Sequence, residues 1–235
     1  MSTLKRDARR AGLIYLVMSV LGAPTLIYLP RLIVSGDAAA TAHNVLSNEP
    51  MYRLLLGGAL AGWALYMVLG RALYGLFASV DESQAALLRI FVVASAIVGV
   101  IDVALLAAPL VVLKSTALAA VFTRPQVEAL ALTMFGIRSV ELHANEAFWG
   151  FWLIPFGILV FKSGYIPRII GALLLLASVG YIIISFAYIA VPSLLESASK
   201  IGGVLIQGEL TVILWLVIMG AKDPRESRAG YLGAR

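Results

Sequence analysis

Six stretches of the chain are free or nearly free of charge. Residues 11–30, 54–70 and 169–195 carry none; 90–113, 142–161 and 201–221 carry one each, namely Asp102, Glu146 and Glu209. About 20 apolar residues at 1.5 Å rise suffice to cross a bilayer's hydrocarbon core. Lipid cannot satisfy backbone polar groups, so such segments must be helices or strands of a closed barrel. No two-residue alternation runs through them, and helices are therefore expected. The pattern predicts six transmembrane helices over about 11–30, 51–72, 88–113, 141–161, 167–191 and 201–221. They form one all-α domain, a single bundle over 1–221, followed by a polar tail at 222–235.

The connections carry their own signals. Ser35-Gly36-Asp37 breaks the chain, and Asp37 can cap a short helix through Ala38–Leu46. Asn48-Glu49-Pro50 starts the second span with proline in its first turn. Thr123-Arg124-Pro125-Gln126 has capping-box spacing and predicts a separate amphipathic helix to about Ser139. Ser163-Gly164 and Pro167 predict a tight hairpin between spans four and five. Lys5, Arg6, Arg9 and Arg10 resemble a signal-peptide n-region, but the apolar run is long and Pro24 follows the best small-residue site, so an uncleaved first helix is expected. With the N-terminus inside, 12 of the 18 Lys and Arg residues fall in inner segments and 6 in outer ones. Both termini are accordingly expected to be cytoplasmic. Tyr28, Tyr52, Tyr74, Tyr165 and Tyr188 fall near span ends, where interfacial aromatics collect.

Composition agrees with this layout. Hydrophobic residues make up 61% and charged residues 13% of the 235 positions, against about 45–50% and 25% in soluble domains. Mean hydropathy is +0.94 and the pI about 9.6. The basic charges lie in short groups between apolar runs, which excludes a nucleic-acid-binding face. The chain has no cysteine, which excludes disulfides, thiolate metal sites and cysteine lipidation.

Several strings carry a resemblance: Arg-Ala-Gly-Leu-Ile-Tyr at 10–15, Gly-Asp-Ala-Ala-Ala-Thr-Ala-His-Asn at 36–44, and Tyr52-Arg53-Leu54. Phe-Lys-Ser-Gly-Tyr-Ile-Pro-Arg-Ile-Ile-Gly at 161–171 follows, then Gly208-Glu209-Leu210 and Leu214-Trp215-Leu216. The chain resembles the bacterial membrane family called domain of unknown function 4386. That resemblance implies a six-helix protein of the bacterial cell membrane. It implies no reaction, no cofactor and no site residue.

Ionisable groups at membrane depth are costly and usually have a partner or a job. Counting residues from the outer span ends puts Asp102 roughly 17 Å, Glu209 roughly 12 Å and Glu146 roughly 6 Å deep. Glu141 and His143 sit at the rim, and Arg31 and Arg53 end the first two spans on the same side. All candidates fall in the outer half. The expectation is one outward-facing polar cluster of Asp102, His143, Glu146, Glu209, Arg53 and Arg31. Ser95, Gly99 and Asp102 share a helix face, as do His143, Glu146, Gly150 and Gly157, and also Gly202 and Glu209. Small residues on these faces let helices approach closely. The structural readings stand beside the functional one. Glu209 with Arg53 or Arg31 reads as a register-fixing ion pair. Asp102 reads as a hydrogen-bonded or protonated carboxyl, and His143 as a rim residue. Gly58 and Gly62 read as helix-on-helix packing rather than dimerisation, and Trp149, Trp152 and Trp215 as packing or lipid-facing groups.

No HExxH, GxSxG or Walker loop is present. Ser163 has no nearby histidine, which argues against a serine protease. His143 and Glu146 lie one turn apart, and with His43 and another carboxylate they form a weak metal combination. Three functions remain: a small-molecule- or lipid-binding or transport-related bundle, an intramembrane enzyme using buried carboxylates with or without metal, and an assembly protein whose buried charges only fix the fold. The bilayer is the one partner the pattern demands; a small-molecule ligand and a homo-oligomer are compatible with it.

Overall fold

A computed structural model describes residues 2–222, which are helical with no strand among them. The expected polar tail therefore lies, beyond Lys222, outside the described residues. The helices are α1 (Thr3–Ile27), α2 (Ala38–Ser47), α3 (Glu49–Phe77), α4 (Glu82–Leu113), α5 (Thr116–Val121), α6 (Arg124–Ser163), α7 (Arg168–Ala190), α8 (Leu195–Leu205) and α9 (Gly208–Ile218). Short 3-10 turns stand at Leu29–Arg31 and Pro192–Leu194. Six segments are long and apolar enough to cross a membrane: Thr3–Arg31, α3, α4, α6, α7 and Pro192–Ile218. Leu13, Val20, Leu54, Ile90, Val111, Ile169, Val204 and Ile218 all point outward from these segments. Such exposure opposes solubility in water and is neutral in lipid.

Two boundaries differ from the sequence expectation. The helix opened at Thr123 does not stop near Ser139 but runs on as the 40-residue α6. Its start is as expected, since the Gln126 side chain accepts from the Thr123 backbone N–H at 2.9 Å. Nothing in the Ser139–Glu141 stretch breaks a helix, and change of polarity alone does not end one. The sixth span is instead divided. Gln207, Glu209 and Leu210 donate their N–H groups to the carbonyls of Val204, Ile206 and Gln207, three residues back. This tight turn separates α8 from α9 at a point flanked by Gly202, Gly203 and Gly208. A short α5, capped by Ser115, was also not anticipated.

The chain divides into two compact units. One comprises Met18–Ala64 and Ile97–Leu142. Its core is built from Leu29, Leu32, Val45, Tyr52, Leu55, Leu106, Leu110 and Phe135. Asp37 caps α2 by accepting from the Ala40 N–H at 2.8 Å. Gly58 packs against the Leu21 carbonyl of α1, and a Cβ on Gly99 would lie 2.2 Å from the Trp63 indole. The Gly58/Gly62 pair thus seats one helix of this chain on another. Tyr52 is not interfacial: it is fully buried, and its hydroxyl donates to the Leu106 carbonyl at 2.6 Å.

The other unit comprises Met1–Val17, Leu65–Ala96 and His143–Arg235. Here glycines set the spacing of the helices. Added Cβ atoms on Gly157 and Gly171 would meet each other's carbonyls at 3.0 and 3.1 Å, and those on Gly180 and Gly202 at 2.9 and 2.8 Å. These pairs hold α6 and α8 against opposite ends of α7. A Cβ on Gly208 would lie 2.5 Å from the Leu173 carbonyl, and one on Gly12 would lie 2.7 Å from Leu216. At one end of the unit, Asp81 accepts from Lys162 at 2.6 Å and from the Gln84 N–H at 3.1 Å. It thereby caps α4 and ties it to the end of α6.

Two outcomes are expected. Gly208→Ala meets backbone rather than a flexible side chain and should cost about 1–3 kcal/mol in detergent unfolding, the usual range for overpacking. Gly203→Ala enters open space and should be near neutral; equal stability of the two variants would disprove the α7–α9 approach. The Lys162 ammonium beside Asp81, helped by the Gln84 amide, holds its carboxyl below the usual carboxylate range. Its contribution to stability is therefore complete above the ordinary aspartate value and lost as pH falls through the lowered folded value. Hydrogen exchange in the first turn of α4, corrected for intrinsic rates, should accelerate over that acid range in the wild type and lack the step in Asp81→Asn.

Candidate functional site

Glu209 occupies the first turn of α9, immediately after the break in the sixth span. An acid is favoured there by the partial positive charge of a helix N-terminus. Its two oxygens are held by phenols. Tyr15 of α1 donates to Oε1, and Tyr181 of α7 donates to Oε2 at 2.7 Å. Aromatic rings pack around these phenols. Trp152 lies 5.7 Å from Tyr15 and 5.8 Å from Tyr66 between ring centroids, and Trp149 meets Tyr181 edge-on at 5.7 Å. Tyr15, Tyr66 and Trp152 are buried. The result is a carboxylate held by two neutral donors within an aromatic enclosure.

The ion pair expected for Glu209 is corrected by this arrangement. Arg53 instead donates through Nε to Glu49 at 2.8 Å, and Lys114 reaches the same carboxylate at 2.8 Å. Arg31 is exposed in its 3-10 turn. The physical reason is that a carboxylate needs donors for its lone pairs, and a phenol supplies one without a second charge to desolvate. Tyr15 and Tyr181 escaped notice because tyrosine counts as apolar in a hydropathy pattern. A signal existed: both sit inside charge-free runs rather than at their ends, where a phenol must find a partner within the protein.

Glu146 and His143 belong to the same unit. One Glu146 carboxylate oxygen is buried without a hydrogen-bond partner among the described residues. The Tyr181 phenol lies within electrostatic range of both Glu209 and Glu146. Asn145, between them in sequence, is buried and latches α6 to α4: Ser95 Oγ donates to its Oδ1 at 2.8 Å, and its Nδ2 donates to the Ser95 carbonyl at 3.2 Å. His143 stacks on Tyr188 at 3.7 Å with the rings 9° apart. His43 lies on α2 beside Ser47. Among the described residues, no group of three or more His, Cys, Asp or Glu side chains could hold a metal ion.

Asp102 lies in the other unit and has its own partner. Arg138 of α6 engages it through Nε at 2.8 Å and Nη2 at 3.3 Å, with the two side chains 7% and 3% exposed. Asp102 thus stands in a buried ion pair with one hydrogen bond, Nη2 to Oδ2, while its Oδ1 and Arg138 Nε have no hydrogen-bond partner among the described residues. Arg138 was assigned to an outer loop because the fourth span was started at residue 141. The unbroken α6 carries it into the span instead.

The fold and these embedded polar groups define a multi-pass helical membrane protein with carboxylates engaged inside its spans. The model of the family described as Domain of unknown function (DUF4386) matches residues 10–220, and the chain belongs to that family. An uncharacterized protein of Archaeoglobus fulgidus is 39% identical over 107 residues, covering 44% of this chain and 59% of that protein. The chain thus spans only about 59% of the length of the curated relative it matches. No solved structure matches the chain.

Tyr181→Phe should cost about 1.5–3 kcal/mol, the range for hydrogen bonds to charged groups. Arg53→Gln should cost at most about 1 kcal/mol, since its pair is exposed. Detergent unfolding in which Arg53→Gln proves the more damaging would restore the ion-pair account of this region.

Proposed function

We propose that this protein is a membrane-embedded binding bundle of the transport kind, taking a small cationic ligand, an organic amine, at Glu209. The observation that carries this reading is a carboxylate at a helix break held by phenols alone. A cation can join Glu209 without displacing a salt-bridge partner, while Tyr15, Tyr66, Trp149 and Trp152 offer ring faces suited to it. Broken helices at binding sites are a recurring transporter device, because the turn frees backbone groups toward the ligand. Glu146 adds a second acid in the same unit, and His143 marks the side from which the ligand enters. Of the expected polar cluster, this proposal retains Glu209, Glu146 and His143. Arg53 and Arg31 are omitted because Arg53 serves Glu49 and Arg31 faces outward.

In this reading the six helices work as one domain over 1–221 in the cell membrane of a bacterium, with both termini cytoplasmic. Moving Arg138 from loop to span supports the orientation, leaving 12 inner Lys and Arg residues against 5 outer ones. The alternative of an intramembrane enzyme would use Glu146 as an acid or base; it is favoured only by the unpartnered oxygen of that group.

A primary alkylamine should raise the unfolding temperature of the purified wild type and leave Glu209→Gln unmoved, while an alcohol of equal chain length moves neither. Saturating ligand is worth about 2.7 kcal/mol at a hundredfold excess over Kd. An equal amine effect on both proteins would remove Glu209 from the site. For orientation, single cysteines placed at Ser47 or Ser193 should react with an impermeant thiol reagent on intact cells, and one at Ser163 should not. The reverse pattern would invert the topology.

A further inference from the structure

The unit of Met18–Ala64 and Ile97–Leu142 holds an acid that neither the fold nor the proposed ligand site uses. Both carboxylate oxygens of Glu141 are buried, and neither has a hydrogen-bond partner among the described residues. Glu141 follows Arg138 by one turn of α6 and lies within electrostatic range of Asp102 and Arg138. Arg138 is held to Asp102 by one hydrogen bond, from Nη2, and an ion-pair contact of Nε, which like Asp102 Oδ1 has no hydrogen-bond partner among the described residues. The Tyr52 phenol lies within electrostatic range of Arg138 and Asp102 but spends its proton on the Leu106 carbonyl. Two carboxyls thus lie near one another, and neither Glu141 oxygen nor Asp102 Oδ1 has a hydrogen-bond partner among the described residues. Two acids against one arginine would leave a net negative charge in a span, where an unbalanced charge is among the costliest groups a membrane protein can hold. One proton supplies both missing items: it is the donor between the two carboxyls, and it neutralises the group.

We propose that Asp102, Arg138 and Glu141 form a proton-binding site, with one exchangeable proton shared by the two carboxyls and resting on Glu141. Asp102 keeps its contact with Arg138. Glu141 binds the proton because neither of its buried oxygens receives a hydrogen bond from Arg138 or any other described residue. Loss of the proton would set Glu141 competing with Asp102 for Arg138, which moves the guanidinium between α4 and its own helix. The site therefore couples proton release to a rearrangement of the α4–α6 contact. It involves none of the Glu209 group, so each can fail without the other.

A hydrophobic carbodiimide tests this directly on the purified full-length protein. It reacts with protonated carboxyls in apolar surroundings: the acid proton passes to a carbodiimide nitrogen, the carboxyl oxygen adds to the central carbon, and acyl transfer leaves a stable N-acylurea. Peptide fragmentation distinguishes Glu141 from Glu146. Wild type should be labelled at Glu141 at neutral pH, with labelling lost on going to alkaline pH. Asp102→Asn frees Arg138 to pair with Glu141, so labelling at neutral pH should fall several-fold. Glu141→Gln, which retains a donor toward Asp102, should match wild-type stability at neutral pH and surpass it at alkaline pH. An unlabelled Glu141 in wild type, labelling unchanged by Asp102→Asn, or a Glu141→Gln protein that is much less stable at neutral pH would each overturn the proposal.

Discussion

A carboxylate inside a membrane span has no water to fall back on, so it must find its hydrogen-bond donors on neighbouring helices. That single requirement organises both units. Glu209 meets it with two phenols, Tyr15 and Tyr181. Asp102 meets it with one guanidinium, Arg138. The two solutions differ in kind: the first uses neutral phenols, and the second is an ion pair that another acid can join. Glu141 is that other acid, and its buried oxygens turn a structural pair into a group one proton short.

Meeting these donors depends on how closely the helices approach. Hydrophobic burial supplies little drive between helices in lipid, so close packing over small residues carries more of the load. The Gly157–Gly171 and Gly180–Gly202 contacts fix α7 against α6 and α8, which sets the height at which Tyr181 meets α9. The break before Gly208 then turns Glu209 into the first turn of a new helix, where its charge is favoured. The same glycines that permit the approach flank the break. Packing and site geometry are thus consequences of one local composition.

The membership of an uncharacterized family places weight on chemistry rather than precedent. In the unit of Glu209, two phenols hold that acid, and no salt bridge reaches it among the described residues. This surrounding supports the proposed binding reading over a register-fixing pair, since a register pair is already complete.

The sequence by itself determined the number of spans, their apolar faces and the identities of the embedded acids. It also determined several local ends, among them the Asp37 cap, the Thr123–Gln126 box and the hairpin at Gly164, whose φ of +68° suits glycine. These features are local: charge-free length, capping spacing and turn chemistry are read within a few residues of one another. Partnership was decided only by the tertiary structure. Tyr15 lies 194 positions from Glu209 and Arg138 lies 36 from Asp102, and no periodicity links residues so far apart. Which donor reaches which acid depends on the rotation and depth of each helix, and those are set by contacts between helices. The continuation of α6 past Ser139 and the division of the sixth span belong to the same category. Helix propensity permits either outcome at both places, and the packing around them selects one.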